Sequence, residues 1–411
     1  MNFKTIINHP DFFSYLIALI LSTLLIGYAP SSIALGIFLF FVLRYVVIYK
    51  PKMKVEPMLI LPIVLYLFFC ASYFWSVDPL HTIKGLGRLV PLLIFPLAFS
   101  AIPKFTLKQF HIILSYFSIS NVILGVLFIV TASINFIHKK SFSVFTYHEL
   151  VLFLDLNAIY VSVFFSISYF YLLSKQHKKP LEKGAIVFLG ILILLLSSKM
   201  LIVSFVLCNI IFLVFYKGIS YLKNYKTLIV ILALTTVFAA TSHQVIKRFI
   251  IETTTNFDEV LQKEKFNKIY PWTGSSIRIL QLRILKDQIQ EENIFWKGFG
   301  LYASRNNLKE RHLDFNTYYG YHSYNYHNMY AQILSELGIF GLLFLLLILI
   351  LNIKKAIQSS IFLFLIFNIV FFMVFFTESI LWVHRGIFFF IILYCLFNRT
   401  VFSSHILKEA L

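Results

Sequence analysis

Charge is scarce in this chain. Asp, Glu, Lys and Arg make up 13% of its 411 residues, while 59% are apolar. With a mean hydropathy of +0.82, that balance excludes an ordinary soluble protein. Cysteine is also rare. Cys70, Cys208 and Cys395 each fall inside an apolar run, so they read as small buried hydrophobes and no disulfide framework is expected. Neither strict polar–apolar alternation nor a repeat nor a low-complexity tract is present, so the long apolar runs suit helices and not a β-barrel. Acidic residues number 18 against 36 basic ones, a net charge of +18. Placing those charges along the chain argues against nucleic acid as a partner.

What the chain does have is a succession of apolar runs long enough to cross a bilayer. About 20 mostly apolar residues span the hydrocarbon. The runs predict about twelve spans, at 12–28, 32–48, 58–74, 89–102, 110–133, 149–173, 184–197, 200–216, 227–242, 329–351, 358–376 and 385–401. The first follows Lys4 without a small-residue cleavage site and reads as a retained anchor. Alternate connections carry Lys50, Lys52 and Lys54; Lys104 and Lys108; Lys175, Lys178, Lys179 and Lys183; Lys217, Lys223 and Lys226; Lys354 and Lys355. The opposite short loops hold few basic residues. This asymmetry predicts cytoplasmic termini and an outward-facing long loop. The expected fold is all-α, a polytopic membrane bundle divided into 1–242, a loop subdomain at 243–328, and 329–411.

The polar stretch from Thr241 to Asn328 holds the densest set of reactive groups: Arg278, Arg283, His312, His322, His327 and Asn328. Residues 275–286 have helical apolar spacing, with Ser275 as the expected N-cap. Arg278 would then lie in the first turn, where a cation is disfavoured by about 0.3–1 kcal/mol unless an anion docks there. Snorkelling toward water or headgroups is the alternative. His327-Asn328 opens the next span. A neutral imidazole there suits proton abstraction from a sugar hydroxyl, or a hydrogen bond to backbone. The three histidines lack a tight ligand spacing, so no metal is expected. Tyr318, Tyr319, Tyr321, Tyr324, Tyr326 and Tyr330 crowd this segment, as an interfacial belt or as rings and hydroxyls for sugars. Arg44, Asp155, Asn157, Glu336 and Glu378 lie near or within spans, where charges usually face a cavity or a partner. Asp155 with His148 and Asn157, and Glu378 with His384 and Arg385, are expected in outer helix halves.

Together these residues resemble the O-antigen ligase and polymerase superfamily. The run His327-Asn328-Met329 through Ser335-Glu336-Leu337-Gly338-Ile339-Phe340-Gly341 is similar to the family's His-Asn pair followed by Glu-Leu-Gly-x-x-Gly. Trp75-Ser76-Val77-Asp78-Pro79, Ser197-Ser198-Lys199, Ser276-Ile277-Arg278, Trp296-Lys297-Gly298-Phe299-Gly300 and Glu378-Ser379 resemble further family motifs in the same order. The O-antigen ligase-related region is expected at about 184–350. The resemblance implies a GT-C-like helical membrane fold and a metal-independent glycosyltransferase without cofactor. It would move glycan from undecaprenyl pyrophosphate to a sugar hydroxyl of lipid A–core, or another glycan acceptor, at the periplasmic face of the inner membrane. Arg278 would hold the pyrophosphate and His327 would activate the hydroxyl. Lys199, Arg88, Asn328, His322, Tyr324, Tyr326 and Glu378 would bind substrate, with Lys199 standing where the family has Arg. A polymerase of the same superfamily is the alternative. A transporter or flippase ranks lower, because Asp155 alone resembles a coupling-ion carboxylate.

Overall fold

The computed structural model describes residues 9–53, 56–196, 198–217, 250–251, 256–267 and 269–402. Prolines and polar caps start its helices where the chain leaves the loops. The series runs α1 (Phe12–Thr23), α2 (Tyr28–Tyr49), α3 (Pro57–Ala71), α4 (Pro79–Leu89), α5 (Pro91–Ala101) and α6 (Leu107–Lys139). It continues with the short α7 (Tyr147–Leu150), then α8 (Ala158–Ser174), α9 (Pro180–Leu195) and α10 (Lys199–Ile211). The polar segment holds α11 (Phe257–Gln262), α12 (Gly274–Glu291) and α13 (Ser304–Asp314). Last come α14 (Met329–Ser359), α15 (Phe362–Val374) and α16 (His384–Arg399). Helix accounts for 77% of the structure, without strands among the described residues.

Among the described residues, five helical stretches are long and apolar enough to cross a membrane: Tyr28–Tyr49, Pro57–Trp75, Pro79–Ala101, Leu107–Lys139 and Met329–Ser359. Shorter apolar helices accompany them. With its apolar composition, this makes the chain a membrane protein. The short span expected at 89–102 is the second half of Pro79–Ala101; Lys84, Gly85, Gly87 and Arg88 had hidden the first half. The span expected at 149–173 is a correction. Asp155 adopts a left-handed conformation, and α8 starts only at Ala158, capped by Asn157 through Ile159 N–H at 2.8 Å. The span expected at 227–242 lies outside the described residues.

The bundle is knitted by aromatic rings. Phe164 stacks on Phe389 at 3.9 Å, Phe364 on Phe397 at 4.7 Å and Phe367 on Phe390 at 5.7 Å, joining α8 and α15 to α16. Buried Asn352, Asn368 and Asn398 bond to one another at 2.7 and 2.9 Å across α14, α15 and α16. In lipid such amide pairs supply association that apolar contact alone does not.

The polar segment has an apolar core of its own. Val260, Phe266, Leu280, Ile284, Leu308 and Tyr326 are buried together. It docks on the bundle through backbone. Phe299 and Gly300 N–H donate to Ser335 and Glu336 carbonyls at 2.8 and 2.9 Å, and Ile339 N–H donates to Phe295 carbonyl at 2.7 Å. On the other side Val77 N–H donates to Phe299 carbonyl at 3.0 Å, and Trp75 Nε1 to Lys297 carbonyl at 2.7 Å. The motifs at 75–79, 296–300 and 335–339 therefore form one clamp. Its close approach needs glycine. Gly338 kinks α14 at φ 67°, ψ −164°, and a Cβ there would stand 2.3 Å from the Trp296 carbonyl. Gly298, at φ 68°, backs onto Glu336 just as closely.

Gly338→Ala should cost about 1–3 kcal/mol of stability, read as a lower melting temperature in detergent. Gly36→Ala, which meets nothing within 4 Å, should leave it unchanged. Equal melting of both variants would contradict the clamp.

Candidate functional site

Three elements deliver one ionisable side chain each to the mouth of the bundle. Helix α12 brings Arg278, the residue before α14 brings His327, and the turn after α15 brings Glu378. Helix α12 begins two residues earlier than expected. Thr273, not Ser275, is its N-cap, in a capping box with Ser276 (Ser276 N–H to Thr273 Oγ1 at 3.1 Å, Thr273 N–H to Ser276 Oγ at 2.7 Å). Arg278 thus starts the second turn. Its Nη1 reaches back to the Gly274 carbonyl at 2.7 Å. Nε and Nη2 both donate to the Thr377 carbonyl, at 3.0 and 2.9 Å, and Nη2 also meets Glu378 Oε1 at 3.1 Å.

The second carboxylate oxygen of Glu378 lies 3.4 Å from His327 Nδ1. A single buried carboxylate therefore touches both the guanidinium and the imidazole. Glu378 is 6% exposed, against 26% for Arg278 and 24% for His327. The arrangement is asymmetric in a useful way: the acid is sequestered and the two nitrogen groups open outward. A carboxylate at Nδ1 favours the tautomer with its proton on that nitrogen, leaving the Nε2 lone pair for substrate. His327 holds this place at φ 44°. The Asn325 side chain, accepting the His327 N–H at 2.8 Å, supports the left-handed turn.

Residues 184–346 match the family model described as O-Antigen ligase. The match makes this stretch similar to the O-antigen ligase family. A search of curated proteins finds no significant match. The matched stretch contains Lys199, Arg278 and His327 and ends before Glu378, the residue that joins the latter two.

The other expected site residues separate into three groups. Tyr324 stays near the site, its ring 4.8 Å from that of His327 and 37% exposed. Tyr321 packs on Tyr324 at 5.2 Å and Trp272 on Tyr321 at 5.9 Å, so a run of rings leads away from His327. Lys199 is the first residue of α10. Beyond the other end of that helix, Phe212 rests on Phe362, the first residue of α15, at 5.0 Å. Arg88 occupies a place neighbouring the site. Its Nη1 meets the Tyr302 hydroxyl at 3.2 Å, and it lines a crevice of about 580 Å³ with Tyr28, Phe95, Trp382, His384 and Phe388. Tyr302 stacks on Trp382 at 5.8 Å, just after Glu378 in the chain.

Asn328, His322 and Tyr326 are given structural work. The Asn328 side chain caps α14 by accepting Ala331 N–H at 3.0 Å. His322 Nε2 lies 3.3 Å from the Thr317 carbonyl. Tyr326 is a correction: it is fully buried in the loop core, its hydroxyl donating to Gln288 Oε1 at 2.6 Å, so no substrate reaches it. Nor does Glu378 pair with His384 or Arg385. His384 faces the crevice, and Arg385 Nε donates to the Leu24 carbonyl at 3.1 Å. Sequence reasoning missed the Thr377 carbonyl, since any residue supplies one. It also missed Tyr302 and Trp382, whose indole donates to Glu336 Oε1 at 3.2 Å.

His312 is buried among apolar groups, its Nδ1 3.1 Å from Thr317 Oγ1. Burial, with some repulsion from His322, lowers its pKa to about 4. The unfolded chain binds a proton near pH 6.5 that the folded chain refuses. Stability from this site is therefore complete above about pH 6.5 and is lost as pH falls toward 4, by up to about 3 kcal/mol. Thermal melts from pH 7 to 5 should show that fall, and His312→Gln should flatten it. An unchanged slope in the variant would contradict the buried neutral imidazole.

Proposed function

We propose that this chain is a metal-independent glycosyltransferase that moves a glycan from undecaprenyl pyrophosphate to a sugar hydroxyl, as an O-antigen ligase does with lipid A–core. It works at the periplasmic face of the inner membrane, with both termini cytoplasmic, about twelve spans, and the loop at 243–328 outside. One observation carries the reading: Arg278 and His327, from separate elements, meet on the same carboxylate of Glu378.

The chemistry follows from the charges. The acceptor oxygen attacks the anomeric carbon of the donor sugar. Its proton passes to His327 Nε2 as the new C–O bond forms. The bond from that carbon to the pyrophosphate oxygen breaks, and the electron pair leaves on pyrophosphate. Arg278 meets the developing negative charge with a planar fork of donors. Glu378 keeps the imidazole oriented and stabilises it once protonated. Before substrate arrives, Glu378 and the Thr377 carbonyl occupy the guanidinium; a pyrophosphate competes for the same N–H groups. Arg88 and Lys199 add positive charge around the donor, and the crevice beside Arg88 offers apolar walls to the polyprenyl chain. The rings from Tyr324 to Trp272 offer faces for sugars.

The transport reading loses its carboxylate. Asp155, the sole candidate for a coupling ion, is exposed beyond the start of α8.

Purified protein given polyprenyl-pyrophosphoryl glycan and acceptor should form the transfer product. His327→Ala should slow it by about 10²–10⁴-fold, and Arg278→Ala by about 10²–10³-fold. Arg278→Lys should not restore the rate, since an ammonium lacks the fork. Full activity in folded His327→Ala would reject the mechanism. In cells, deletion should leave bare core for a lost ligase, and core carrying a single repeat for a lost polymerase. An unchanged long-chain ladder, in a strain without a second copy, would reject both.

A further inference from the structure

At the far end of α14 from His327 lies a second cavity, of about 640 Å³, lined by Glu56, Met58, Lys104, Leu351, Lys354 and Lys355. The span Pro57–Trp75 has Glu56 just before one end and Trp75, bonded to the Lys297 carbonyl of the loop, at the other, so at about 1.5 Å per residue the cavity stands roughly 28 Å from the clamp. That is close to the thickness of a bilayer's hydrocarbon core, about 30 Å. The cavity and the catalytic mouth thus occupy opposite membrane faces.

Its charges do not balance. Glu56 takes Lys104 Nζ at 2.6 Å and Arg399 Nη1 at 3.4 Å. These cations hold its carboxyl below the usual range against the opposing effect of burial. Lys355 Nζ lies 3.5 Å from a backbone carbonyl, that of Asn398. Three cations, Lys104, Arg399 and Lys355, therefore act on this one carboxylate, and Lys354 lines the same cavity. Arg399 is 6% exposed, and its Nε is buried without a partner. The wall beside them is apolar, formed by Met58 and Leu351.

A topology signal explains lysines in the loops of this face. It does not explain a cavity whose basic polar end adjoins an apolar wall. Such a site fits an anion with an apolar tail. We propose that it binds the phosphate of an anionic glycerophospholipid, with the acyl chains along Met58 and Leu351. This inference rests on the membrane reading and not on the catalytic one.

Melting of the purified full chain in neutral detergent tests it, with phosphatidylglycerol, phosphatidylcholine or glycerol 3-phosphate added. Phosphatidylglycerol alone should raise the melting temperature, by about 3 °C or more. The variant K104Q/K354Q/K355Q should lose most of that rise, whereas K179Q/K183Q, in another basic loop, should keep it. Lys354→Gln alone, at an exposed position, should lose part of it without disturbing the fold. An equal rise with phosphatidylcholine, a full rise in the triple variant, or an equal loss in K179Q/K183Q would overturn the proposal. An equal rise with glycerol 3-phosphate would assign the cavity to soluble phosphates and overturn the lipid.

Discussion

Glu378 is a buried acid at the edge of an apolar bundle, and a charge there is costly unless it is partnered. Its partners come from far away in sequence: Arg278 from the loop and His327 from the mouth of α14. Satisfying this one carboxylate therefore requires the loop to sit over the bundle. The same requirement aims the guanidinium and the Nδ1 side of the imidazole inward, which turns the other imidazole nitrogen toward solvent or substrate. A structural demand and a chemical arrangement coincide in three side chains.

The clamp makes that arrangement repeatable. Two neighbouring loop and span motifs and a third, 222 residues upstream at Trp75–Lys297, meet chiefly through backbone hydrogen bonds, and glycines at 298 and 338 let the segments of chain approach where side chains would collide. Because the contacts are made by N–H and C=O groups, their geometry is fixed by the fold and not by flexible side chains. The kink at Gly338 also exposes the Ser335 and Glu336 carbonyls, which an unbroken helix would have used internally.

Much of this was legible beforehand because its cause is local. Apolar length gave the spans, and the density of Arg and His in one polar stretch pointed to Arg278 and His327. Glu378 was visible as an expensive charge, but its partners Arg278 and His327 lie far from it in sequence, and only the fold brings them to it. The loop's end also misled. Tyr324 and Tyr326 look alike in sequence, yet one lies open beside His327 and the other is sealed under α12. Only tertiary packing separates them. The cap at Thr273 was missed because Ser275 and Thr273 are chemically equivalent, and the reciprocal bond with Ser276 decides between them.

The central claim is that donor pyrophosphate takes over the guanidinium now held by Glu378 and Thr377. A structure of the protein in lipid with a polyprenyl pyrophosphate bound tests this most directly. The account predicts phosphate oxygens within hydrogen-bond distance of Arg278, His327 Nε2 facing the first sugar's position, and Glu378 still on Nδ1. A pyrophosphate seated elsewhere, with the Arg278–Glu378 contact intact, would contradict it.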